Sequence, residues 1–153
     1  MSINIDIWGN NIWYLFHTIA HKLKEESFGL LKNDLIETVK SICRNLPCPD
    51  CAKDATDVLN RIDYNTINTR EDFELMLFNF HNYVNRKLKK PEFKYDDLSI
   101  KYKNANIHNL LNNFNIIFSS NSNNPYMMSS SFSRQQNRPR INILLNKIIL
   151  HME

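Results

Sequence analysis

Two cysteines three positions apart are the residues of this sequence best suited to chemistry. Cys48 and Cys51 enclose a Pro-Asp pair, and this spacing lets two sulfurs close a small disulfide ring and exchange it with other thiols. Pro47 ends the preceding helix, and Pro49 in a favoured first-turn position predicts a new helix from Cys48. Amide donors at a helix N-terminus stabilise a thiolate and lower the pKa of a thiol. We therefore expect Cys48 to exchange with substrates.

The motif alone is also compatible with a zinc site or with inert cysteines. One CxxC supplies half of a tetrahedral shell, and Cys43 with His17 or His81 would have to complete it, because no second CxxC or HxxxH follows. Thioredoxin-like chemistry places CxxC after a strand, and no strand pattern precedes Cys48. A redox function therefore requires a different fold. A buried, unreactive thiol is the interpretation we favour for Cys43.

Length, charge and termini exclude several classes of protein. A chain of 153 residues predicts one compact domain with a tail. Its 19 basic and 16 acidic residues give a net charge of +3, which is too balanced to predict a nucleic-acid or membrane-surface partner. The first six residues lack the features of an export signal, and no segment reaches the roughly 18 apolar residues of a membrane span. Three cysteines do not suggest a disulfide scaffold.

Apolar residues spaced three and four positions apart predict an all-α fold, a four-helix bundle with a short fifth helix. Thr69 is expected to cap the fourth helix, with Asp72 as an acidic variant of the capping box. Pro91 ends that helix, and a short helix is expected within residues 95–104. The four main helices are predicted at about 8–24, 30–45, 48–61 and 69–89.

The second part of the chain differs in composition from the first. We expect a catalytic domain over residues 1–104 and a helical extension over 105–118. Residues 119–140 are rich in Ser, Asn, Arg and Gln, and too few apolar side chains are present to offset the entropy of ordering. They are therefore predicted to form a flexible linker, followed by an apolar helical segment over 141–153.

Three separated motifs carry a resemblance to a known family. The sequence FHNYVNRKLKKP over residues 80–91 resembles the HNxVNxxLxKP signature of the Erv/ALR sulfhydryl oxidases. Trp8-Gly9, followed by Trp13 and His17, is similar to the first-helix motif of that family. The dithiol lies between these two motifs, where the active-site dithiol of the family is placed. The form without additional cysteine pairs is most similar to the compact oxidases of large cytoplasmic DNA viruses.

The resemblance implies an FAD-dependent thiol oxidase that makes disulfides in protein substrates and reduces oxygen to hydrogen peroxide. It places FAD in the mouth of the bundle, makes Cys48 and Cys51 the catalytic residues, and implies no metal. Because no shuttle dithiol is present, the substrate would be oxidised directly. By motif position, the cofactor-binding residues would be Gly9, Asn10, Trp13, His17, Cys51, His81, Asn82, Val84, Asn85, Lys87, Leu88, Lys90, Lys101 and Tyr102.

Four positions depart from the family pattern. Asn10 stands where an arginine is common, and Tyr102 stands where a tryptophan is usual, so both bear on the affinity for FAD. Phe78 and Tyr95 occupy the two positions of a second, structural disulfide. An aromatic pair can replace such a link by packing, so we expect these two rings to be in contact.

The resemblance also implies partners and a location. We expect a homodimer through the first two helices, and activity in the host cytoplasm or the virion. The alternative is a zinc-stabilised or flavin-free helical module that acts in interaction or assembly. Bound zinc in a colourless preparation would favour that alternative over the oxidase.

Overall fold

Helices form nearly all of the regular structure. The protein is described by a computed structural model over residues 5–120 and 124–153. Residues 1–4, part of the segment predicted to lack an export signal, and residues 121–123 of the predicted linker lie outside the described residues. The all-α prediction is confirmed. The helices of the described residues are α1 (Ile5–Lys22), α2 (Phe28–Arg44), α3 (Pro49–Asn60), α4 (Arg70–Lys87), α5 (Asp97–Tyr102), α6 (Ile107–Ser119) and α7 (Pro125–Ile149).

The first four helices pack their apolar faces into one core. Helix α1 contacts α4, and α2 contacts α3. Each fully buried aliphatic or aromatic side chain contributes about 1.5 to 3 kcal/mol relative to exposure, so this shared core holds the bundle together. Side chains with almost no exposure include Leu15 and Phe16 of α1, Leu35 and Ile42 of α2, Leu59 of α3, and Phe73 and Leu77 of α4.

Both ends of α4 are set by local hydrogen bonds. The Thr69 hydroxyl accepts from the Asp72 amide at 3.0 Å, and the Asp72 carboxylate accepts from the Thr69 amide at 3.2 Å. The predicted capping box is thus confirmed. At the other end Lys89 has a positive φ of 57°, and the Lys90 amide donates to the Asn85 carbonyl at 2.8 Å. This is a Schellman ending, which reverses the chain after the helix.

An aromatic cluster closes the loop after α4. The rings of Phe78 and Tyr95 meet edge to face at 5.4 Å, and Phe78 meets Phe93 at the same distance. The expected contact between Phe78 and Tyr95 is therefore confirmed. Asn82 also fixes this loop by hydrogen bonds. Its side-chain oxygen accepts from the Phe93 amide at 3.2 Å, and its side-chain nitrogen donates to the Phe93 carbonyl at 3.0 Å.

The C-terminal helices pack on the first two. Helix α6 lies on α1, α7 lies on α2, and the two contact each other. Ile141, Leu145 and Ile148 of α7 are completely buried. The end of the chain is tied to the turn between α1 and α2, where the Lys24 amide donates to the His151 carbonyl at 2.9 Å. No helix within the described ranges has the length and hydropathy needed to cross a bilayer.

The structure differs from the flexible linker predicted over 119–140. Most of that range belongs to α7, which continues through Pro139 into the apolar segment predicted from residue 141. The linker was predicted from the small number of apolar residues, but polar side chains hold this half of α7 against the rest of the protein. Ser131 and Arg134 are 4% and 2% exposed, and both make hydrogen bonds to other elements. Bonded polar groups can be buried without the usual penalty.

Candidate active site

The dithiol lies at the start of α3, as predicted. Cys48 is the N-cap residue with extended backbone angles, and Pro49 occupies the first turn. Cys48 and Cys51 form a disulfide whose Cα atoms are 5.1 Å apart. The Cys51 amide also lies 3.2 Å from the Cys48 sulfur. That sulfur therefore sits where the unpaired amides of the helix can stabilise a thiolate.

The two sulfurs face different surroundings. A cavity of about 320 Å³ lies between α1, α3 and α4, and Cys51 is among the residues that line it. Cys48 is not in this lining, although it is partly exposed. Both cysteines are partly exposed, but only Cys51 of the two lines the cavity.

Most of the predicted cofactor residues meet at this cavity. The predicted residues that line it are Gly9, Asn10, Trp13, Cys51, His81, Val84, Asn85, Lys87, Leu88 and Lys90. Four predicted residues, His17, Asn82, Lys101 and Tyr102, do not line it. The lining comes from both family motifs and from the dithiol, although these lie far apart in the chain.

His17 and Tyr102, two of the four predicted residues outside the lining, pack behind the rings that line the cavity. Trp13 stacks on His81 with centroids 4.1 Å apart and planes 7° apart. His81 contacts His17, whose Nε2 lies 2.9 Å from Nδ1 of His81. His17 in turn stacks on Tyr102 at 4.7 Å. The four rings form a column, so His17 and Tyr102 fix the orientation of the rings that line the cavity.

The other two hold the loop around Phe93. Asn82 has both ends of its amide committed to the Phe93 backbone. The Lys101 ammonium lies 5.5 Å from the Tyr102 ring centroid and 5.6 Å from those of Tyr14 and Phe93. These distances are within the range of cation–π attraction. In this structure both residues therefore position neighbours of the site.

Burial keeps the two histidines uncharged. Desolvation lowers the pKa of His17 to about 3, with further lowering by His81 and Lys101. Desolvation likewise lowers the pKa of His81 to about 3, assisted by the charges of Lys101 and Lys90. A neutral pair can share one hydrogen bond, because one ring donates and the other accepts. At neutral pH the column is therefore an uncharged aromatic surface.

Two ion pairs cross the mouth of the cavity. Lys87 of α4 pairs with Asp54 of α3 at 2.7 Å, and Lys90 pairs with Asp6 of α1 at 2.8 Å. All four side chains are close to half exposed or more. Exposed pairs of this kind contribute about 1 kcal/mol or less. An anionic group of a ligand can therefore compete for the two ammonium groups at little cost.

The cavity fits the flavin implied by the sequence resemblance. Its volume lies within the range of ligand sites, and its walls combine aromatic and aliphatic side chains with few polar groups. A Cβ built on Gly9 meets no atom within 4 Å, so that wall is open. Nδ1 of His17 and the hydroxyl of Tyr102 are buried without a hydrogen-bond partner in the described part of the chain. Both residues lie behind the lining, where a buried water can complete these atoms.

Cys43 also lines the cavity, but its thiol is buried. It is 2% exposed and free, as predicted for an unreactive thiol. Burial raises the pKa of its thiol far above the ordinary value, which opposes thiolate formation. Within residues 5–120 and 124–153, no group of three His, Cys, Asp or Glu side chains is arranged to hold a metal ion. The zinc alternative therefore gains no support from the geometry.

Sequence reasoning missed several residues of the cavity. Asp54 and Val58 line it from α3, and Tyr83 lines it from α4. Asp54 lies three residues after Cys51 and Val58 lies seven after it, so helical spacing places them on the face of Cys51. That spacing was the available signal for Asp54 and Val58. Tyr83 lay within the family motif at a position that the motif leaves open.

Comparisons with known proteins agree with this geometry. Residues 10–104 match the model of the Erv1/Alr family. Protein 096R of Invertebrate iridescent virus 3 is 31% identical over 104 residues, 67% of this chain and 70% of that protein. The FAD-linked sulfhydryl oxidase of African swine fever virus is 30% identical over 69% of this chain and 84% of its own. The FAD-linked sulfhydryl oxidase ERV1 of Oryza sativa subsp. japonica is 34% identical over 56% of this chain and 43% of its own. No solved structure matches the chain at a significant level.

Proposed function

The chain belongs to the Erv1/Alr family, and from this premise we propose that it is an FAD-linked sulfhydryl oxidase that passes electrons from protein thiols to oxygen. The observation that carries the proposal is the asymmetric dithiol. Cys51 lines a cavity walled by aromatic rings, while Cys48 lies outside that lining at a helix N-terminus. A redox pair that must meet a protein on one side and a flavin on the other needs this asymmetry.

The thiol chemistry is a disulfide exchange followed by resolution. A substrate thiolate attacks the Cys48 sulfur, forms a mixed disulfide and releases Cys51 as a thiolate. A second substrate thiolate then attacks the substrate sulfur of that mixed disulfide and releases Cys48. The substrate leaves with a disulfide, and the enzyme holds the electron pair as its reduced dithiol. Two substrate thiols and one oxygen molecule give one disulfide and one hydrogen peroxide, so atoms and electrons balance.

The residues around the cavity bind and orient the cofactor. Trp13 and His81 offer aromatic faces, and Lys87 and Lys90 offer cations for the phosphates. His17 and Tyr102 pack behind these rings and fix their orientation. FAD, when bound, supplies the acceptor for the electron pair of the reduced dithiol and delivers that pair to oxygen.

A second pocket lies beside the turn that carries Cys48, which is itself partly exposed. This pocket is a groove of about 380 Å³, with Pro49 and Lys53 of α3 on one side and Ser129 and Ser133 of α7 on the other. Pro49, the residue after Cys48, lines this groove, although Cys48 itself does not. We propose this groove as the approach for protein thiols.

We further propose a homodimer that acts in the host cytoplasm or the virion, as the viral relatives suggest. Because α6 lies on α1 and α7 on α2, a second copy would also have to contact the extension, where Ile116, Phe132 and Ile143 are exposed. Light scattering of the purified protein would give twice the mass of one chain. We propose that residues 1–104 form the oxidase domain and that residues 105–153 pack against it.

Oxygen uptake with dithiothreitol tests the proposed activity. We expect the wild type to consume oxygen with one peroxide formed for each pair of thiols oxidised. Cys48→Ser and Cys51→Ser should each reduce uptake to the rate without enzyme, because either change removes the disulfide. Cys43→Ser is the matched control and should retain activity, since Cys43 lies outside the disulfide. Normal uptake by Cys51→Ser would refute the assigned route.

A further inference from the structure

Helix α7 reaches across α2 to the turn that precedes the dithiol. Arg134 donates from Nη1 to the Leu46 carbonyl at 3.2 Å, and the Ser130 hydroxyl donates to the same oxygen at 3.4 Å. Arg134 also donates to the Ser130 hydroxyl at 2.6 Å. Leu46 lies two residues before Cys48. The last carbonyl before the Pro-Cys pair is therefore held by a separate helix.

A second set of bonds holds the neighbouring residue. The Ser133 hydroxyl donates to Oδ1 of Asn45 at 2.8 Å, with the Asn137 amide 3.5 Å from the same oxygen. The Asn45 amide donates to the Ser41 carbonyl at 2.7 Å. Asn45 is 6% exposed, so these bonds are sheltered from water. Two consecutive residues of the turn are thus fixed from α7.

The cation in this contact is buried, unlike the other charges near the turn. The charged residues nearest the turn in sequence are Arg44 at the end of α2 and Asp50 and Lys53 at the start of α3, and all three are exposed. Arg134 is 2% exposed, and its Nε meets no acceptor in the described residues. Water and salt screen exposed charges, whereas a buried charge keeps most of its field.

The distance is short enough for that field to act on the dithiol. Two residues of extended chain span at most about 7 Å, so the guanidinium lies on the order of 10 Å from the backbone of Cys48. At an effective dielectric constant of about 20, a unit charge at that distance shifts a titration midpoint by about one pH unit. A positive charge favours the thiolate.

We propose that Arg134 is a positioning residue for the dithiol, which fixes the turn carrying Cys48 and supplies buried positive charge that favours its thiolate. The consequence for turnover rests on the proposed oxidase function. The consequence for Cys48 itself does not, because the reactivity of its thiol can be measured without flavin. The helix that the sequence presented as a linker thereby becomes part of the catalytic apparatus.

The test measures the rate at which iodoacetamide alkylates Cys48 as a function of pH. The full chain carries Cys51→Ser, so that Cys48 is a free thiol, while Cys43 stays buried. Adding Arg134→Met should raise the pH midpoint by about one unit. Arg140→Met is the matched control, because Arg140 lies on the same helix in an exposed ion pair with Glu37. It should leave the midpoint unchanged.

Two further variants separate charge from fold. Arg134→Gln keeps an amide donor but removes the charge, so it should raise the midpoint as Arg134→Met does. Arg134→Lys keeps the charge and should stay near the midpoint of the parent protein. A parental midpoint in the neutral variants, or a rise of equal size in Arg134→Lys, would overturn the proposal. Failure of both neutral variants to fold, with Arg134→Lys folded, would assign Arg134 to stability alone and overturn it as well.

The same variants with Cys51 intact connect the result to turnover. Arg134→Met should bind flavin normally, as judged by its visible absorbance, but oxidise dithiothreitol several-fold more slowly near neutral pH. Arg140→Met should match the wild type. A colourless wild-type protein would refute the proposed oxidase function, while the alkylation midpoints would still decide the role of Arg134.

Discussion

The region of the cavity beside Cys51 and the contact between α7 and the dithiol turn both bury polar groups, but they bond these groups to different extents. In the cavity region, Nδ1 of His17 and the hydroxyl of Tyr102 have no partner in the described chain. In the α7 contact, side chains of another helix bond Asn45 and the Leu46 carbonyl, although Nε of Arg134 has no partner in the described chain. Unpaired buried groups are costly unless a ligand completes them. The first region keeps an open cavity beside these rings, whereas the second region bonds the turn and holds its backbone.

The largest expected effect tests whether the two regions share one folding unit. Leu145 of α7 is completely buried, so Leu145→Ala should lower the free energy of unfolding by about 2 to 5 kcal/mol. Ile143 is 70% exposed, and Ile143→Ala should change it by about 0.5 kcal/mol or less. Urea unfolding followed by the fluorescence of Trp8 and Trp13 on α1 measures both. An unchanged tryptophan transition in Leu145→Ala would show that the extension unfolds separately.

The next prediction concerns the pH dependence of folding stability that arises from the two histidines beside the cavity. The pKa values of His17 and His81 are lowered from 6.5 to about 3 on folding. The unfolded chain therefore binds protons more readily, and the stability from the neutral pair is fully present above about pH 6.5 and is lost as the pH falls toward 3. Urea midpoints at a series of pH values should fall less steeply in His17→Gln than in the wild type.

His108 provides the control for that pH series. It lies exposed on α6, away from the cavity, so His108→Gln should retain the steep wild-type dependence. Equal slopes in His17→Gln and His108→Gln would contradict the buried, neutral histidine pair.

The smallest expected effect comes from replacing each of the two glycines by alanine, which tests whether Gly9 lies in the cofactor site. Gly9 and Gly29 both lie in helices, and a Cβ added to either meets no atom within 4 Å. Replacement by alanine should therefore stabilise each helix by about 0.5 to 1 kcal/mol. Only Gly9 lines the cavity, so Gly9→Ala should also weaken FAD binding several-fold in a flavin titration. Equal flavin affinity in both variants would remove Gly9 from the cofactor site.

The two regions also differ in how far the sequence predicted them. Periodic apolar residues predicted α1 to α4, and local chemistry predicted the capping box at Thr69 and the helix start at Cys48. These signals are short-range, so they can be recognised in sequence. Most of the cofactor residues predicted from the family motifs line the cavity, although Asn82 and Lys101 hold the loop around Phe93 in the structure.

The α7 contact could not be predicted in the same way. Its residues look like those of a linker, because Ser130, Ser133 and Arg134 are polar and most such side chains are solvated. Their burial depends on partners at Asn45 and Leu46, more than 80 residues earlier in the chain. Composition reports how much apolar surface a segment can bury, but it does not report whether a distant turn offers matching hydrogen bonds.

Anaerobic reduction of the bound flavin tests the central claim most directly. The purified wild type should show visible flavin absorbance, and dithiothreitol without oxygen should bleach it as electrons pass through the Cys48–Cys51 pair. Cys51→Ser should bind flavin yet stay coloured, because the sulfur that faces the cavity is gone. A colourless wild-type protein, or equally fast bleaching in Cys51→Ser, would contradict the account.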